Sequence, residues 1–118
     1  MGKEFNLEKM IFSVLVVRPR EAFFDWLKPV IQRQNWKLDE IYHPEEDSIW
    51  LIPAAGTFSS SDEIDKYITN LKPAILKHEL GRFGPLPEEF PAPLSADVCD
   101  KFFVVELRDR AFRASSND

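Results

Sequence analysis

An α+β sandwich, with one antiparallel sheet covered on one face by two helices, is the fold this sequence predicts, and three observations predict it. Two short runs, residues 11–17 and 48–52, are apolar on both faces and rich in β-branched or aromatic side chains. Two longer segments, residues 20–34 and about 61–80, repeat apolar residues at helical spacing. Strand-like and helix-like stretches follow one another in the order strand, helix, strand, strand, helix, strand.

The first strand, Ile11-Phe12-Ser13-Val14-Leu15-Val16-Val17, is too short for a typical helix. Pro19 then suits the first turn of a helix, where a missing N–H costs nothing. That helix places Phe23, Trp26, Leu27, Val30 and Ile31 on one face, and Pro29 is expected to kink it or remove one hydrogen bond. Residues 36–42 alternate, with Trp36, Leu38 and Tyr42 on one side and Lys37, Asp39 and His43 on the other, as a half-buried edge strand does. A turn through His43-Pro44-Glu45-Glu46-Asp47 returns the chain along Ser48-Ile49-Trp50-Leu51-Ile52, and Pro53 ends that strand. Ser60 and Glu63 carry a capping-box spacing at the start of the second helix. Its stripe is Ile64, Ile68, Leu71 and Ile75, and Gly81 is read as its stop. Residues 81–100 form an insert with four prolines and the large apolar residues Phe83, Leu86 and Phe90, ending in one short helical turn over 95–100. Residues 102–108 are the last strand, apolar along Phe103, Val105 and Leu107.

This βαββαβ order is that of a ferredoxin-like sandwich, in which the first and third strands are central. The two strands apolar on both faces are the first and third. The hexapeptides 26–31 and 70–75 share Leu, Lys, Pro and Ile in register, as two βαβ halves would. The domain expected is single, spanning 1–118, with loose ends at 1–9 and 111–118.

Composition limits the function. The 118 residues are 44% hydrophobic and 30% charged, enough for a core without a metal or disulfide staple. A net charge of −5 argues against nucleic acid as a partner. One cysteine allows no internal disulfide and suits a reducing, cytoplasmic setting. The charged start and the seven-residue apolar run fit neither a signal peptide nor a membrane span.

The chemistry-bearing residues form no convincing catalytic constellation. His43 and His78 have no metal-ligand spacing, so no metal and no cofactor is expected. Asp97 and Asp100 flank Cys99 and disfavour its thiolate. The carboxylates at 45–47 and 88–89 are read as solvated loop charges. The Gly56–Ser61 loop lacks a P-loop lysine, and Asp62 and Glu63 already occupy the helix start. The third strand lacks the basic-glycine-aromatic pattern of an RNA-binding sheet, and the insert lacks PxxP spacing.

Ten Phe, three Trp and two Tyr leave an apolar excess. Because the central strands are apolar on both sides, one sheet face stays apolar after the helices have covered the other. Three covers are open: the insert with Phe83, Leu86 and Phe90, a second copy, or a ligand or protein partner. The leading expectation is a non-catalytic binding or assembly module using that face, an edge strand or the insert. The alternative is a small enzyme or ligand binder of the dimeric α+β barrel type. The binding residues expected are Arg18, Trp36, Tyr42, His43, Trp50, Phe83 and Phe90, and the partner expected is a second copy or another protein.

Overall fold

The computed structural model describes residues 5–7, 12–34, 47–108 and 114–116. Its elements are β1 (Phe5–Leu7), β2 (Phe12–Pro19), α1 (Glu21–Arg33), β3 (Ser48–Pro53), α2 (Ser61–Gly81), α3 (Ala96–Phe102), β4 (Phe103–Arg108) and β5 (Ala114–Ser116). Short 3₁₀ turns at Ala55–Thr57 and Pro87–Glu89 join them.

The main sheet is antiparallel with strand order β3-β2-β4. The α+β class therefore stands. The four-stranded ferredoxin-like sheet does not appear among the described residues, whose main sheet has three strands. Residues 36–42, read as the second strand, lie outside those described. Among the described strands only β2 is central in this sheet, and β3 lies at their edge. Apolar residues on both faces of a strand report burial potential, not strand order, and β3 in fact leaves Ile49 and Leu51 exposed. At the chain's ends, read as loose, β1 and β5 pair antiparallel in a two-stranded ribbon.

The pleat decides which side chains meet the helices. On β2, Ser13, Leu15 and Val17 are fully or almost fully buried, while Phe12, Val14 and Val16 face the other way. The register Leu15↔Trp50, Ser13↔Ile52 and Val17↔Val105 puts Trp50, Ile52 and Val105 on the same, inner face. Against it pack Phe23, Leu27, Val30 and Ile31 of α1 and Ile75, Leu76 and Leu80 of α2. Ser13 is the polar residue that β2 contributes to this layer, and its hydroxyl accepts the Ala55 N–H at 2.8 Å.

Local chemistry sets the helix bounds. Pro19 ends β2 rather than opening α1; Arg20 is the N-cap, its N–H donating to the Phe102 carbonyl at 2.8 Å. α1 runs unbroken through Pro29, which lies on its exposed side, where water can satisfy the carbonyl that a proline frees. Ser60 caps α2 by accepting the Glu63 N–H, but the Glu63 carboxylate reaches one residue further back, to the N–H and hydroxyl of Ser59. Those bonds hold its carboxyl below the ordinary carboxylate range. Gly81 is the last residue of α2, and the helix ends there without a left-handed cap. The left-handed glycine is Gly84, at φ +65°. The single turn expected at 95–100 is the helix α3, capped by the Ser95 hydroxyl.

The insert's position is the main structural result. Phe83 is 4% exposed and stacks near Phe23, with ring centroids 5.7 Å apart. The Trp26 indole donates to the Glu89 carbonyl at 2.8 Å, and Arg33 binds both the Glu89 carboxylate and the Gly84 carbonyl. Phe90 and Leu94 pack on the same core. The insert thus closes the helical side around α1. Its expected alternative place, across the opposite face of the sheet, is not where it lies.

Candidate functional site

The face of the sheet turned away from the helices is the first candidate. β2 contributes Phe12, Val14, Val16 and Arg18 to it, and β3 contributes Ile49 and Leu51. From β4 come Val104, Glu106 and Arg108. The register sets Ile49 beside Val16 and Leu51 beside Val14. It also sets Glu106 beside Val16 and Arg108 beside Val14, from the other strand. Phe12 is 42% exposed, Ile49 60% and Leu51 62%. Apolar area is therefore gathered on β2 and β3, and charge on β4.

The charges on this face are paired. Arg18 donates to Asp47 at 2.9 Å and to Glu106 at 3.0 Å, and Glu106 also pairs with Arg108. The Asp47 hydrogen bond, with Glu106 behind it, holds the Arg18 guanidinium above its ordinary value. All these groups are largely solvated, so each pair contributes little to stability. They mark the border of the apolar patch.

A second candidate lies between the C-terminal turn of α2 and β3, where an open cleft of about 560 Å³ runs along the strand. At its base the Trp50 indole N–H donates to the Glu79 carboxylate at 3.1 Å, and Arg82 donates to its second oxygen at 3.1 Å. Glu79 is 4% exposed, so both oxygens are satisfied inside the protein, as a buried carboxylate requires. His78 meets the Trp50 ring edge-on at 5.2 Å. The sequence carries a signal for Glu79: it continues the α2 stripe four residues after Ile75, so a charged residue occupies an apolar position.

The residues expected to bind are spread over the molecule. Arg18 stands on the outer face and Trp50 in the cleft. Phe83 and Phe90 belong to the core beneath the insert. Trp36, Tyr42 and His43 lie outside the described residues. The four described ones, Arg18, Trp50, Phe83 and Phe90, do not come together as one site.

Cys99 is fully buried, and burial, aided by Asp100, pushes its thiol up to about 11. At neutral pH it is a small apolar filler beside α2. Among the described residues no three His, Cys, Asp or Glu side chains gather as metal ligands would. None of the described helices is long and apolar enough to cross a membrane.

A scan against protein-family models found no match, and searches of curated proteins and of solved structures found none.

Proposed function

We propose that this chain is a non-catalytic binding or assembly module that works through the outer face of its sheet. One observation carries the reading: Phe12, Ile49 and Leu51 form, with Val14 and Val16, one continuous apolar patch, and among the described residues none lies across it. Leaving these side chains partly in water forgoes a share of the about 1.5–3 kcal/mol that full burial of each is worth. Contiguous patches of this kind on soluble domains mark interaction sites. The insert supports the reading indirectly, since its aromatic side chains are used on the helical side.

The test is dye binding by the folded protein at high dilution. A solvatochromic dye should brighten with the wild type and fail to brighten with an Ile49→Lys/Leu51→Lys variant. Both side chains are exposed, so the variant's urea midpoint should move little. No brightening by the folded wild type would refute the reading.

The cleft favours a second reading, a ligand site along β3 with His78 and Arg82 as its polar contacts and the Trp50 ring as its wall. Ligand binding to the native state raises the melting temperature. A thermal-shift screen of small anions should then find hits that Arg82→Ala abolishes; a screen without hits counts against it.

A further inference from the structure

We infer that the occupant of the outer face is a second copy of this chain, docked sheet on sheet about a twofold axis that runs perpendicular to the strands at the level of Leu15. The inference rests on the reading of that face as an interaction surface and adds the partner and its register.

The pattern on the face is self-complementary under this one operation. Described strand by strand, the rows on either side of the axis are Ile49, Val16, Glu106 and Leu51, Val14, Arg108. A twofold axis perpendicular to the strands keeps each strand over its own counterpart and exchanges the two rows. Ile49 then meets Leu51 of the second copy, and Val16 meets Val14. Glu106 meets Arg108, twice by symmetry. One row further out, Arg18 comes over Phe12 of the second copy, a cation on a ring face. In the two central rows every apolar residue meets an apolar one and each charge meets its opposite; at the rim Arg18 meets a ring, and Asp47 falls over Pro53.

The competing twofold axis, parallel to the strands, fails the same check. It lays β3 over β4, so Ile49 and Leu51 would be pressed against Glu106 and Arg108. Closed dimers are isologous, and a face that matches itself in one orientation only specifies that dimer. Opposite strand directions across the interface remain compatible with the usual packing of two sheets about 30° from aligned.

Area sets the strength. Six residues by three strands give a face of about 20 Å by about 14 Å, or roughly 300 Å² in plan. Standard interfaces use about 800 Å² per partner. The dimer should therefore be reversible, with Glu106 and Arg108 choosing its orientation more than its affinity.

Sedimentation velocity over about a hundredfold range of concentration tests this, because a reversible dimer dissociates on dilution. The wild type should pass from monomer to dimer. Glu106→Arg and Arg108→Glu, checked for native circular dichroism, should each weaken the dimer about tenfold or more, because each sets like charges against one another. Mixed in equal amounts, these two variants should form a heterodimer, since every charge on one then faces its opposite on the other. No single chain in the mixture contains the restored pair, so the rescue reads the contact between copies and not folding. A dimer that neither variant weakens, or a mixture that stays monomeric, overturns the inference. A wild type that is monomeric throughout also overturns it. In that case dye binding at the patch leaves the interaction face standing with another partner, and no dye binding removes both readings.

Discussion

Truncating Phe83 to alanine tests whether the proline-rich insert belongs to the core. The side chain is 4% exposed, its ring lies 5.7 Å from that of Phe23, and the Arg82 guanidinium sits 5.5 Å above it. Burying and then deleting a phenylalanine costs about 3–5 kcal/mol. The insert is a connection and can settle partly into the vacated space, which favours the lower end, about 3 kcal/mol. With a urea dependence of about 1.5–2 kcal/mol per molar, as small domains show, the midpoint should fall by about 1.5–2 M without a change of slope. A double-mutant cycle with Phe23→Ala should return a coupling of about 0.5–1.5 kcal/mol for the ring pair. The assay is equilibrium urea unfolding followed by tryptophan fluorescence and far-ultraviolet circular dichroism. A midpoint shift below about 0.5 M would refute the reasoning, because it would mean that the insert does not share the domain's cooperative unfolding.

Three further outcomes follow from particular contacts. Gly84→Ala should destabilise by about 1–2 kcal/mol, since φ is +65° there and a Cβ would stand 3.1 Å from the Gln34 amide nitrogen; urea unfolding checks it. Cys99 should resist alkylation in the native protein at pH 8 and react on unfolding, because at about 11 its thiolate is roughly a thousandth of the population; mass spectrometry of pulse-labelled protein reads this. The hydrogen bond from Arg33 and the Leu86 N–H hold the Glu89 carboxyl below its ordinary range. Its contribution is therefore present above the usual carboxylate pKa of about 4.3 and is lost as pH falls through the lowered native value, so Glu89→Gln should flatten the acid limb of stability against pH.

The helices were legible because their apolar residues recur at the helical period, and α2 also because Ser60 stands at its cap. Phe23, Leu27, Val30 and Ile31 all face the core as that spacing requires. β2, β3 and β4 were legible as strands but not as a sheet. β2 is apolar on both sides, so its pattern could not say which face meets the helices, and the answer came from which residues α1 and α2 bury. β3 looked central for the same reason and lies at the edge of the described sheet. The insert was visible as a segment, but prolines carry no periodicity, so nothing in its sequence said that Phe83 would join Phe23. Of the residues expected to bind, Arg18 and Trp50 border the two candidate surfaces. Phe83 and Phe90 were chosen because large apolar side chains in a loop need a destination, and theirs is the interior.

The apolar outer face has a consequence for how the sheet finds its alignment. A strand normally keeps its register because a slip of one residue would turn its apolar set toward water. Residues 14–17 of β2 would lose little by such a slip, since Val14 and Val16 could replace Leu15 and Val17 inside. Two polar side chains supply the missing discrimination. Ser13 is buried and holds the Ala55 N–H, while Arg18 is exposed between Asp47 and Glu106. A one-residue slip would carry Arg18 under the helices, away from both carboxylates, and turn Ser13 out to solvent, leaving the Ala55 N–H without its acceptor. In this strand the alignment is written by a serine and an arginine near its two ends, and the hydrophobic residues between them fill whichever face those two select.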